Sequence, residues 1–213
     1  MAQRQVNGRA RETAGPDDTP RSWGLSDAPT VIVLAAGRGE RFRRSGGVTH
    51  KLDARLGGET VLERVLRTVA ESGLPCHVVR PDGCDAGAAP GMGDSIARGV
   101  RATPRAAGWL ILPGDLPLVS ADSLLKVAEG LASHPVVLPF WNGRQGHPVG
   151  FGAECHAALA ALCGDTGAAS IVRAHRQAGV ARILNLDDPG IVADIDTLED
   201  LARAEALLAA RHS

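Results

Sequence analysis

No apolar run in this chain of 213 residues approaches the ~20 residues that a membrane-spanning helix requires. The four cysteines, Cys76, Cys84, Cys155 and Cys163, include no pair two or three apart, so a zinc-binding spacing is missing. No signal peptide is recognisable, and reduced thiols in a cytoplasmic setting are expected. An excess of charge of one sign is also lacking: the formal net charge is −1. That balance argues against a broad nucleic-acid-binding or membrane-binding surface. What remains, with 44% hydrophobic and 22% charged residues, has the make-up of a globular domain, and its length suits one domain with a real core.

Two familiar phosphate-binding signatures are missing as well. The P-loop string Gly-x-x-x-x-Gly-Lys-Ser/Thr does not occur. The dinucleotide fingerprint Gly-x-Gly-x-x-Gly is half met by Gly37 and Gly39, but Phe42 stands where a third small residue would let helix and strand pack closely. The acidic residue expected about 20 residues further on, at the end of a second strand, has no counterpart. The next strand-like run, Cys76 to Arg80, comes much later and ends in Arg80-Pro81.

What is present is a strand that stops at a glycine-rich, basic loop. Val31-Ile-Val-Leu-Ala-Ala-Gly-Arg-Gly-Glu-Arg-Phe42 is followed by Lys51. Glycines let backbone approach a bulky anion, and Arg38, Arg41 and Lys51 supply positive charge. This is the composition of a loop that grips a triphosphate.

Residues 1 to 28 read as a disordered tail, with mixed polar residues and little periodicity. Residues 29 to 213 then form the domain. Strands are expected at Thr30–Ala35, Cys76–Arg80, Trp109–Leu112, Val136–Phe140, about His147–Phe151, Arg182–Leu186 and Val192–Ile195. Helices are expected from Thr60, which forms a capping box with Glu63, to Gly73, then over about Ser95–Arg101, from Ser120 to Leu131, over Ala153–Leu162 and Ala168–Gln177, and from Thr197 to the end. Asn142-Gly143 signals a hairpin turn. Strands alternating with helices imply an α/β fold, with a mostly parallel sheet covered on both faces and ligands at the carboxyl ends of the strands.

The unusual residues fall at those ends. Asp115, in Leu110-Ile-Leu-Pro-Gly-Asp-Leu-Pro117, is either a turn cap or a Mg²⁺ ligand facing the first loop. Asp194 and Asp196 are alternate residues where the short strand expected at Val192–Ile195 ends, so both can face one side; either can also stabilise the following helix. Two acidic strand ends opposite a basic glycine loop suit metal-assisted attack at a phosphate. Gly91-Met-Gly-Asp-Ser95 opens a helix, where Gly91 and Gly93 let backbone reach a base or ribose, or simply cap the helix. His147, between Gly146 and Pro148, is a donor to a base or substrate, or a structural histidine. Gly164-Asp-Thr-Gly167 is an interhelical loop or a second-substrate contact. Cys155 and Cys163 read as helix packing.

In this order the residues resemble the MobA-like NTP transferases, Rossmann-like (GT-A-like) nucleotidyltransferases that act in molybdenum cofactor maturation. The likeness runs from about Thr30 to Arg211. Leu34-Ala-Ala-Gly-Arg-Gly-Glu-Arg-Phe42 is similar to the family's signature loop, and Lys51 to the lysine that follows it. Gly91-Met-Gly-Asp-Ser95, Gly114-Asp-Leu-Pro117, Gly146-His-Pro148 and Asp194-Ile-Asp-Thr197 stand where the later motifs do. The sequence departs from the pattern in the segment Arg43–His50 inserted before Lys51, in Leu52-Asp53 for a leucine pair, and in Leu198 for a proline.

The resemblance implies a single-domain nucleotidyltransferase fold with Mg²⁺ as cofactor. It implies catalytic roles for Lys51, Arg41 and Asp115, and metal ligation by Asp115, Asp196 and Asp194. The nucleotide would be held by Leu34, Ala35, Ala36, Gly37, Arg38, Gly39, Arg41, Lys51, Gly91, Met92, Gly93, Ser95 and His147. Leu-Ala-Ala-Gly and Gly-His-Pro favour the molybdenum cofactor cytidylyltransferase branch over the guanylyltransferase branch. An added methyl at Ala36 would narrow the room for a purine. The substrates so implied are CTP, with GTP as the alternative, and a molybdopterin-type cofactor; another phosphorylated acceptor is the second alternative. A xanthine dehydrogenase-type molybdoenzyme is the implied transient partner. A non-catalytic cofactor carrier would bind the pterin without turnover and would have no need for three acids.

Overall fold

The computed structural model describes residues 28–81 and 91–210. The expected tail lies outside the described residues except for Ala28, which is buried against the core.

The chain opens with β1 (Thr30–Leu34) and a short helix α1 (Glu40–Arg44). A 3₁₀ turn at Lys51–Asp53 leads into a hairpin of β2 (Arg55–Leu56) and β3 (Glu59–Thr60). Helix α2 (Val61–Ser72) starts at the expected capping box: Thr60 Oγ1 accepts from the Glu63 amide at 3.1 Å, and Glu63 Oε2 accepts from the Thr60 amide at 2.7 Å. Gly73, at φ +69°, ends the helix in a left-handed conformation that a side chain would strain.

Strand β4 (Cys76–Val79), helix α3 (Met92–Ala102), strand β5 (Gly108–Pro113) and helix α4 (Ala121–Gly130) follow. Then come β6 (Val136–Trp141), β7 (Arg144–Gln145) and β8 (Val149–Gly152). The chain ends with α5 (His156–Ala160), α6 (Ala169–Gln177), β9 (Ala181–Asn185) and α7 (Leu198–Ala210).

Among the described residues the strands form a seven-stranded sheet in the order β4-β1-β5-β8-β6-β7, with β9 also on β6. β4, β1, β5, β6 and β9 run in one direction; β7 and β8 run against them. After the Asn142-Gly143 turn, β7 pairs with β6 alone, whereas β8, the return strand expected at about His147–Phe151, pairs with both β5 and β6 and fills the space between two parallel strands.

Alternation along the strands sends side chains into two cores. Val31, Val33, Leu110, Leu112 and Val137 pack with Val65 and Val69 of α2 and Leu124 of α4. Ile32, Trp109, Ile111, Val136, Leu138 and Phe151 pack with Ile96 and Val100 of α3, Leu159 of α5 and Ile171 of α6. Each fully buried Val, Leu or Ile contributes roughly 1.5–3 kcal/mol, so two covered faces hold the strand ends in register.

One expected element is absent. Val192–Ile195 is not a strand: Pro189–Val192 is a 3₁₀ turn, and the next residues are irregular. A single backbone hydrogen bond, Ile195 N to Asp115 O at 3.0 Å, ties this segment to the end of β5. The alternate-facing argument for Asp194 and Asp196 therefore fails, because it requires strand geometry.

Candidate active site

Three segments of the chain meet at one place. The loop after β1 carries Arg38 and leads to Arg41 on α1. The loop after β5 carries Asp115. The segment before α7 carries Asp196. Gly114 allows the second of these to lie close to the first: its amide donates to Leu34 O at 2.9 Å, and a β-carbon would sit 3.0 Å from that oxygen.

Lys51 stands at the centre. Its Nζ donates to Asp115 Oδ2 at 2.6 Å and to Asp196 Oδ1 at 2.8 Å, and Arg41 Nη1 donates to Asp196 Oδ2 at 2.8 Å. Burial works against charge on Lys51, but the Asp115 charge and the hydrogen bonds to both acids outweigh it, and its pKa lies above the usual lysine value. Burial likewise works against charge on Asp196; Lys51 and Arg41 outweigh it and hold the carboxyl below the usual range. Lys51 and Asp196 are therefore both ionised at neutral pH.

The segment inserted between Phe42 and Lys51 builds this geometry. Arg41 lies on the short helix, and Ser45, its C-cap, accepts from the Leu198 amide at 3.0 Å, docking that helix on the start of α7. Asp200 in turn accepts from the amides of Asp196 and Thr197, which fixes the backbone beneath the Asp196 side chain. At the other end of the insertion, His50 Nδ1 accepts from the Leu52 amide at 3.3 Å. Its Nε2 therefore carries the proton and donates to Gly37 O at 2.7 Å. His50 thus joins the glycine loop to the turn that presents Lys51, a role that no motif in the sequence marks. Arg44, at the end of α1, pairs with Glu40 at 3.2 Å.

Beside this cluster opens a cleft of about 550 Å³. Leu34, Ala36, Gly37, Arg38, Lys51 and Asp115 line one side; Gly91, Met92, Ser95 and Asp165 line the other. Ala35 is instead packed in the core. Gly39, at φ +62°, caps α1, and a β-carbon there would stand 3.3 Å from the His50 ring and 3.4 Å from the Lys51 side chain. Gly91 and Gly93 are small for a reason that the sequence does not suggest. A β-carbon on Gly91 would stand 2.2 Å from Gly164 O, and one on Gly93 would stand 2.8 Å from Cys163 O. The turn between α5 and α6 presses on the start of α3, and Asp94 secures it by accepting from the amides of Gly91 and Gly164.

His147 and Asp194 are not in that cleft. They line a neighbouring cavity of about 430 Å³, together with Lys51, Asp115, Arg144 and Asp196. Burial pushes the His147 pKa down against the opposing influence of the Ile111 backbone, Asp115 and Asp194, so its ring is neutral at pH 7. Its Nδ1 is shut from solvent without a partner. Its backbone is fixed by Ile191 O, 2.9 Å from the His147 amide. Buried Asp188, which no sequence motif singles out, braces that turn by accepting from the amides of Gly190 and Ser120 and from Ser123 Oγ.

Cys155 is buried as expected, and burial raises its thiol pKa to about 11, so it is no nucleophile at neutral pH. Cys163 is exposed, contrary to the packing expected of it.

Asp115 and Asp196 reach one common atom, and Asp115 Oδ1 is buried with no partner. Mg²⁺ is usually held by one or two carboxylates plus substrate phosphates, so these two acids suit it. Exposed Asp194 does not complete a triad, and among the described residues no three His, Cys, Asp or Glu side chains form a ready metal cluster. No helix of the described residues is long and apolar enough to cross a membrane.

Residues 31–179 match the model of the MobA-like NTP transferase domain, and the chain belongs to that family. The bifunctional protein GlmU of Xanthomonas oryzae pv. oryzae (strain MAFF 311018) is 28% identical over 139 residues, covering 57% of this chain and 29% of that protein. The chain thus spans less than a third of this curated relative. A nucleotidyl transferase from Methanothermobacter thermautotroptrophicus superposes with a TM-score of 0.71 at 24% identity, over 87% of this chain and 99% of that one. Rv0371C of Mycobacterium tuberculosis H37Rv, in complex with manganese, gives 0.62 at 22% identity, over 85% and 99%. The fold is that of these two solved structures, a mostly parallel sheet flanked by helices in a single domain.

Proposed function

We propose that this nucleotidyltransferase moves CMP from CTP to the terminal phosphate of a molybdopterin-type cofactor. One observation carries the reading: Lys51, bridged to Asp115 and Asp196, stands where the cleft behind the glycine loop meets the cavity behind His147. A triphosphate on one side and an acceptor phosphate on the other would meet there.

An acceptor phosphate oxygen forms a bond to the α-phosphorus, the bond from that phosphorus to the bridging oxygen breaks, and pyrophosphate leaves with the electron pair. The attacking oxygen is already anionic, so no protein base is required, and catalysis rests on positioning and charge stabilisation. Arg38 and the glycine loop bind the triphosphate, and Lys51 and Arg41 offset the charge that accumulates on it. Asp115 and Asp196 would hold Mg²⁺, which supplies further neutralisation of phosphate charge when bound. The manganese complex of a protein with this fold supports a divalent cation. Neutral His147, on the acceptor side, is able to donate or accept a hydrogen bond to the incoming group. The Ala36 methyl, on the wall of the cleft, supports a pyrimidine over a purine.

A competition of the four NTPs, following pyrophosphate release with molybdopterin and Mg²⁺, tests this. CTP should dominate. A preference for GTP would move the protein to the guanylyl branch, and turnover with a different phosphorylated acceptor alone would overturn the cofactor reading. Pterin binding without turnover would make the protein a carrier.

A further inference from the structure

A third cavity, of about 540 Å³, lies between α3, α6 and the sheet face formed by β5 and β8. It adjoins the reaction centre through Met92, Pro113 and His147, which line both it and the cavity beside Asp115. Its floor is apolar: Ile111, Val149 and Phe151 from the sheet, with Ile96 and Val172 from the helices. Its rim is basic. Arg173 and Arg176, three residues apart on α6, are exposed, and among the described residues neither guanidinium has a hydrogen bond or ion pair. Like charges at this spacing repel by about 0.2–0.5 kcal/mol on a helix, and an anion between them would remove that repulsion.

These surroundings restrict what the cavity can hold. A hydroxyl-rich sugar would leave polar groups unpaired against Ile111, Val149 and Phe151, at a cost of roughly 1–3 kcal/mol each. A flat, mainly apolar ring system would displace poorly held water from the floor, and a second anionic group would meet the two arginines. Concave apolar walls with few polar groups are the usual make-up of a small-molecule site.

We propose that this cavity is the acceptor-body subsite, and that the acceptor is a flat ring compound carrying an acidic group besides its reacting phosphate. The inference rests on the nucleotidyl-transfer reading for its link to the chemistry, but the cavity itself is tested without turnover. The probe is 1-anilinonaphthalene-8-sulfonate, a flat apolar anion. One equivalent should bind to the wild-type protein and stay bound when CTP is added. The double variant Arg173→Gln, Arg176→Gln should weaken it by about tenfold or more, the usual size of a lost charge-assisted contact. Ala169→Trp, at the mouth, should block it, with melting temperature and CTP affinity unchanged. Failure of the probe to bind, displacement by CTP, or equal binding by the double variant would overturn the proposal.

A kinetic arm separates this from the cofactor reading. In the double variant KM for a pterin phosphate should rise about tenfold while KM for CTP holds. If pterin phosphates are not substrates but another ring phosphate responds in this way, the subsite stands and the cofactor reading falls. If pterin phosphate is turned over with unaltered KM, the reading stands and the subsite falls.

Discussion

The cleft behind the glycine loop carries more polar groups than the cavity behind α6. The cleft mixes apolar and polar walls, and the charges at its edge are paired, Lys51 with two acids and Arg41 with Asp196, while His50 donates to a loop carbonyl. The cavity behind α6 is apolar, and its two arginines are unengaged among the described residues. A site that grips the same triphosphate end in every turnover benefits from a pre-set network, because the geometry is organised before substrate arrives. A site that selects one acceptor gains more from shape and from charges left available. On the proposed reading, one centre thus joins a half that holds the triphosphate to a half that selects the acceptor.

The comparison is broken most severely at the acid beside the reaction centre. Asp115→Ala should lower kcat by about two to three orders of magnitude, the common cost of losing one electrostatic partner at a developing charge. The fold should persist, since Lys51 keeps Asp196. Steady-state rates with circular dichroism on the same sample check this, and full activity in a folded variant with Mg²⁺ present would reject the role of Asp115.

Lys51→Ala strikes stability as well as rate. It leaves Asp115 and Asp196 facing each other without their shared cation, and their solvent-exposed edges reduce the penalty to roughly 1–3 kcal/mol. Urea melts should show the loss at neutral pH. They should show much less of it in acid, once Asp196 is protonated: its depressed pKa adds stability above the unfolded value, and that stability disappears as pH falls through the folded one. Equal losses at both pH values would mean that the ion pairs are not the cause.

A smaller effect separates the halves. His50→Ala removes one hydrogen bond from the glycine loop, worth about 0.5–1.5 kcal/mol. KM for the nucleotide should rise about two- to tenfold with KM for the acceptor unchanged, and a matched rise in both would show a general loosening.

The mildest test uses pH alone and reads His147. His147 has its pKa lowered by burial, so the unfolded chain takes up a proton first as pH falls below about 6.5. Stability should decline with acid over the interval down to its folded pKa, and His147→Gln should flatten that part of the profile. An unchanged slope would contradict the burial of a neutral ring.

Much of the fold and of the candidate site is legible in the order of the residues. The capping box at Thr60 and Glu63, the Gly73 stop and the runs at Val31 and Leu110 are local signals with local causes, and each lies where periodicity and caps place it. Helix α1 is not legible, because five residues dominated by charge show no periodicity. The Val192–Ile195 run alternates like a strand, yet one backbone hydrogen bond ties it to the end of β5 and it joins no ladder. Asp188 and His50 leave no pattern, since their partners lie far along the chain or in a carbonyl that no sequence marks.

The sequence by itself determined the alternation of strands and helices, the family, and the residues whose chemistry matters, because these follow from periodicity, caps and motif. Tertiary structure alone decided that β8 lies between β5 and β6, that Lys51 reaches both acids across the insertion, and that His147 lines the cavity beside the glycine-loop cleft rather than the cleft itself. Those outcomes depend on strand pairing and on contacts between residues far apart in the chain, such as Lys51 with Asp196. Loop closure and packing set such contacts, and neither is written in any short stretch of the chain.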